Sequence, residues 1–225
     1  MRDRFHSELE AIDTTVVQLA DLVADAIVDA TRALLAVDLD RAEAVILGDT
    51  RIGKLGACLD VQIQGLIARQ QPVAGDLRRL VSALRISADL ERMGDLAVHV
   101  AKNARLRYPD RAIPDGLRGI FEPMAAACAN LAAALVRILE SRDVEAARQL
   151  AQADDVVDRL HSRLFAVLSA PPEPYRIETA IDAILLGRYY ERFADHAVQI
   201  GKCLEFMVTG TDGLQPVRSF ALSGH

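Results

Sequence analysis

The sequence predicts an all-α chain of two pseudo-symmetric three-helix bundles. Three observations lead there: an aliphatic, aromatic-poor composition, six long stretches of helical periodicity, and a pattern that occurs twice. Of the 225 residues, 51% are hydrophobic, 4% are aromatic and none is Trp. That supply of Ala, Leu, Val and Ile is ample for a core and suits packed helices better than sheets.

The helical stretches fall near residues 4–36, 40–69, 75–107, 116–140, 143–169 and 174–208. The first opens on a charged segment, Met1 to Glu8, which lacks the apolar stretch of a secretory leader. Asp38-Leu39-Asp40 supplies a cap for the second, and Gln71-Pro72 ends it. On the third, Ile86, Leu90, Met93, Ala97 and Val100 form an apolar stripe. Tyr108-Pro109-Asp110 and Pro114-Asp115-Gly116 make the longest polar connection before the fourth. The fifth turns Val157, Leu160, Leu164 and Leu168 to one face, and Pro171-Pro172-Glu173-Pro174 stops it. The sixth repeats the stripe with Leu186, Tyr190, Phe193, Ala197, Ile200 and Leu204 and ends at Thr209-Gly210. These breaks divide the chain into a bundle at 1–112, a bundle at 113–210 and a loose tail at 211–225.

The repeat has two registers. Asp38-Leu39-Asp40-Arg41-Ala42 returns as Asp143-Val144-Glu145-Ala146-Ala147, and Asp49 returns as Asp154, both 105 residues on. Past the proline-marked turn the offset becomes 100, where Leu90-Glu91-Arg92-Met93-Gly94-Asp95 returns as Tyr190-Glu191-Arg192-Phe193-Ala194-Asp195. Two registers that preserve helix order point to duplication rather than to similar amphipathic helices.

Glu91/Asp95, Glu191/Asp195 and Asp154/Asp158 are acidic pairs four residues apart, so each pair shares a helix face. His161 follows Asp158 on the same face, whereas Gly53 and Gly56 stand at the matching first-repeat positions. Helical angles place the carboxylates at an outer or rim surface, away from the apolar stripes. Such a surface is either a solvated, salt-bridged face, with Arg92, Arg192, Lys102 and Lys202 nearby, or a site for a hard cation.

Other chemistry is constrained. The net charge of −6, with no basic block, disfavours nucleic acid. Cys58, Cys128 and Cys203 are far apart and read as reduced, mostly buried thiols. No apolar run is expected to reach the roughly 20 residues of a membrane span, so a cytoplasmic protein that meets a membrane only through partners is expected. No phosphate loop, nucleophile elbow or Glu-x-x-His motif occurs, and only His161 keeps company with carboxylates, so no enzyme is expected.

The duplicated Glu-Arg-x-x-Asp segments, with Gln71-Pro72-Val73-Ala74-Gly75-Asp76-Leu77-Arg78, Glu8-Leu9 and Gly48-Asp49, resemble the PhoU family of bacterial phosphate-signalling regulators. The likeness spans roughly residues 4–210, and Gly187 to Ala197 is most similar to the actinobacterial branch. The resemblance implies multinuclear iron or zinc clusters, or another divalent cation, on surface carboxylates. Carried over by position, the ligands are Asp154, Asp158, Glu191, Asp195, Glu91, Asp95 and Asp49. Gly53 and Gly56 depart from the family pattern, which puts the first-repeat site in doubt and favours the second. The resemblance also implies negative regulation of the phosphate-starvation response, through the phosphate ABC transporter ATPase subunit and a sensor histidine kinase. A homo-oligomer is expected. A metal-dependent carboxylate-cluster enzyme and a structural helical scaffold are the competing functions.

Overall fold

The computed structural model describes residues 2–170 and 175–211, so Pro171–Pro174 and the tail from residue 212 onward lie outside the described residues. Among the described residues there are six helices and no strand: α1 (Arg2–Ala36), α2 (Leu39–Gln70), α3 (Ala74–Arg107), α4 (Asp115–Ser141), α5 (Val144–Leu168) and α6 (Ile177–Thr209). The all-α expectation holds, and the helix ends fall within a few residues of those read from the sequence.

The ends follow local chemistry. Asp38 accepts from the Arg41 backbone N–H, and Asp143 accepts from that of Ala146, each at 3.0 Å, so the duplicated aspartates cap α2 and α5 alike. Gln71 and Gly210 close α2 and α6 in the left-handed region, at φ 46° and 74°. Glycine takes that conformation without the strain a side chain would bring.

Each repeat packs its three helices on one another, and the repeats then join through α1 against α4 and α3 against α6. Among the described residues the result is a central ring of α1, α3, α6 and α4, with α2 held only by α1 and α3, and α5 only by α4 and α6. One continuous apolar core runs through all six helices. Met93 and Phe193, equivalent in the repeat, are both fully buried.

α3 and α6 run antiparallel along their length. Near one end Arg107 Nε donates to Asp182 Oδ2 at 2.5 Å, and near the other Arg78 Nε donates to the Met207 carbonyl at 3.2 Å. Between them His196 Nδ1 lies 2.9 Å from Asp89 Oδ1, and His99 stacks on Tyr189 with ring centres 5.1 Å apart. His161 is therefore not the only histidine beside a carboxylate, as the sequence suggested; the Asp89 partner of His196 comes from the other repeat. The core is also tied by buried polar contacts. Tyr190 Oη pairs with Thr31 Oγ1 of the other repeat at 2.9 Å, and within the second repeat the Cys128 thiol donates to the Tyr190 carbonyl.

One further expectation is corrected. Helix α4 is long and apolar enough, by length and composition, to cross a membrane. Its apolar content is explained by the core, where Leu117, Ile120, Phe121, Met124, Leu131 and Leu135 are buried. Of the cysteines, Cys128 and Cys203 are buried as expected, but Cys58 is exposed on α2.

Candidate functional site

The outer helices sit close to their neighbours because small residues line the seams. On α6, Gly187, Ala194 and Gly201 recur every seven residues and are buried. A Cβ at Gly187 would lie 2.6 Å from Leu164 Cδ2, and one at Gly201 would lie 3.0 Å from the Ala147 carbonyl oxygen. On α3 the equivalents are Ser87, Gly94 and Ala101, also buried, with Ile52 pressed against Gly94. Glu91, Asp95, Glu191 and Asp195 border these seams. They therefore lie along the rims of the α2/α3 and α5/α6 seams, as the helical angles suggested, although Glu191 lies deeper, with its side chain only 14% exposed.

In the first seam Asp49, Glu91 and Asp95 line a cavity of about 240 Å³ with Ile52, Gly53, Ala88 and Arg92. The structure thus brings together the three first-repeat candidates, and Gly53, one of the two glycines that weakened this site in sequence, lines the cavity with open space beside it. Arg92 Nη1 donates to Asp95 at 3.0 Å, so part of the charge is already neutralised. Burial, then the charge of Asp95, raises the Asp49 pKa above the ordinary carboxylate range. Burial likewise raises that of Glu91, followed by the charges of Asp60 and Asp95. Asp60 carried no motif, so sequence reasoning had no signal for it.

In the second seam Asp154 is pushed up to about 6, first by burial and then by Asp158, Asp195, Asp155 and Glu191. Glu191 is raised by burial and by Asp195, against the pull of Arg188 and His161. The Arg188 guanidinium grips both Glu191 oxygens. Asp154 Oδ1 and His161 Nε2 are closed off from solvent with no hydrogen-bond partner among the described residues. All four second-repeat carboxylates thus share one electrostatic neighbourhood. Their mutual repulsion is what a cation would relieve.

The PhoU domain pattern matches residues 16–104 and 121–204, one match to each repeat. The chain belongs to the PhoU family. It is 40% identical over 210 residues to the phosphate-specific transport system accessory protein PhoU homolog 2 of Mycobacterium tuberculosis, covering 93% of this chain and 99% of that one. The corresponding PhoU homolog of Rhizobium meliloti is 29% identical over 92% of this chain and 87% of its own. The crystal structure of PhoU from Pseudomonas aeruginosa superposes with a TM-score of 0.84 at 28% identity, covering 92% of this chain and all (100%) of that one. A phosphate transport system regulatory protein PhoU from Streptococcus pneumoniae shares the fold, with a TM-score of 0.83 over 94% of this chain and 100% of its own at 24% identity.

Against this PhoU framework the donors can be tested for a metal. Among the described residues no group of three or more His, Cys, Asp and Glu side chains is placed so that it could hold a metal ion. The second seam gathers excess carboxylate charge and two orphaned polar atoms, but these donors do not converge as a cation site. Asp154, Asp158, Glu191 and Asp195 would have to rearrange to hold one, and Arg188 occupies both oxygens of Glu191. The first seam offers Asp49, Glu91 and Asp95, all oxygen donors.

Proposed function

We propose that this chain regulates phosphate uptake and represses the phosphate-starvation response in the cytoplasm. It would couple the phosphate-specific ABC transporter, through its ATPase subunit, to a sensor histidine kinase. The observation that carries the reading is the likeness to phosphate-specific transport accessory proteins over 93% of the chain, spanning both repeats. Surface chemistry supports a role in binding partners: Ile177, Ile181 and Leu185 are exposed one helical turn apart along α6. Cation binding at the carboxylate seams, by iron, zinc or another divalent ion, belongs to the same reading, as does a homo-oligomer.

Deletion of the gene, with phosphate-regulon expression read in phosphate-rich medium, tests it. Constitutive expression, restored to repression by the intact gene, is the expected result; unchanged repression would sink the reading. Pull-down of the ATPase subunit and the kinase checks the partners. Turnover of phosphate esters by cation-loaded protein, lost in Asp195→Ala, would instead favour an enzyme.

A further inference from the structure

The repeats also differ where their first two helices meet. The offset of 105 residues that relates α2 to α5 relates α1 to α4 as well: Ile12, Leu19, Ala20 and Leu34 fall on Leu117, Met124, Ala125 and Leu139, all of them buried. Between α1 and α2 the first repeat closes this seam with charge. Arg41 Nη1 donates to Asp29 at 2.5 Å and its Nε to Asp38 at 3.3 Å, and Arg32 stands 3.6 Å from the same Asp29. In the second repeat Ala134 takes the place of Asp29 and Ala146 that of Arg41. Arg137, the counterpart of Arg32, is left with no ion-pair partner among the described residues. A cavity of about 480 Å³ opens there between α4 and α5, against about 190 Å³ at the matching place in the first repeat.

We propose that this cavity binds a small amphiphilic anion, whose carboxylate or phosphate end pairs with Arg137 and whose apolar body lies on Leu131, Ile138 and Leu150. Those three side chains line the cavity and are otherwise buried, so a ligand there covers the apolar surface that the two alanines leave open. Its anionic end replaces the carboxylate that Asp29 supplies in the first repeat, and a guanidinium is well suited to an oxyanion. The amides of Asn130 and Gln149 on the same lining offer further donors. Asp143, the only carboxylate among the described residues of the lining, is engaged at the start of α5, where it accepts from the Ala146 backbone N–H at 3.0 Å. The volume lies within the roughly 300–1,000 Å³ of small-molecule sites.

The test is methyl NMR of the full chain titrated with hexanoate, hexyl phosphate, hexanol and inorganic phosphate. Saturable shifts of the Leu131, Ile138 and Leu150 methyl groups are expected with hexanoate or hexyl phosphate, and the tighter of the two names the head group. Ala134→Asp with Ala146→Arg rebuilds the charged trio of the first repeat and should weaken that binding about tenfold or more, as should Arg137→Gln, which removes the charged hydrogen bond. Arg137 is exposed, so its replacement leaves the core alone, and the wild-type titrations stand even if the double variant does not fold. No saturable shift at these methyl groups with either anion overturns the proposal. So does binding of hexanol or inorganic phosphate as tight as that of the amphiphiles, or an unchanged affinity in Arg137→Gln.

Discussion

Glu91 lies over Gly56: its Oε1 occupies the place a methyl group on position 56 would take, 1.8 Å from an ideal Cβ. A carboxylate on α3 therefore fills the gap left by a glycine on α2, 35 residues earlier in the chain. The three atoms nearest such a Cβ all belong to the flexible Glu91 side chain.

Gly56→Ala should therefore push Glu91 outward at little cost and gain helix propensity in the middle of α2. Stabilisation of about 0.5 to 1 kcal/mol is expected in urea unfolding. A destabilised variant would mean that Glu91 cannot leave its place.

Asp182 is 6% exposed and its partner Arg107 comes from the other repeat. Removing the aspartate leaves the guanidinium unpaired at the α3–α6 seam, so Asp182→Ala should lower Tm by about 5 °C. Adding Arg107→Met should recover part of that loss. Independent, additive effects of the two changes would contradict the coupling.

The Asp154 pKa is raised to about 6, so folding favours its protonated form. Its cost to stability is full above that value and is relieved as pH falls toward the ordinary value of 3.8. Asp154→Asn should accordingly raise the Tm of metal-free protein at pH 7.5 and lose that advantage by pH 4. A gain independent of pH would point to packing rather than charge. With cation present, the same variant should bind it more weakly.

Tyr190 is fully buried, and its hydroxyl pairs with Thr31 across the repeats. Burial raises its pKa, so the phenol stays neutral at any physiological pH. Tyr190→Phe leaves Thr31 without that bond and should cost about 1 kcal/mol in chemical denaturation. An unchanged midpoint would show that water replaces the phenol.

Sequence by itself determined the six helices, their aspartate caps, the two registers of the repeat and the positions of the paired carboxylates. Each of these is local: periodicity reports which side of a helix is apolar, and caps and prolines report where it stops. The tertiary structure alone decided which helix each side faces. That covers the joining of the repeats into one core through α3 and α6, the Asp89–His196 and Arg107–Asp182 pairs, and the exposure of Cys58. It also covers the duplicated signature itself, which periodicity placed on a rim but could not set against a neighbouring helix. Those seams depend on complementary sizes at positions far apart in the chain, Gly56 under Glu91 and Gly187 beside His161. A single helix carries no record of the side chain its neighbour will offer, because that complementarity exists only once the two surfaces meet.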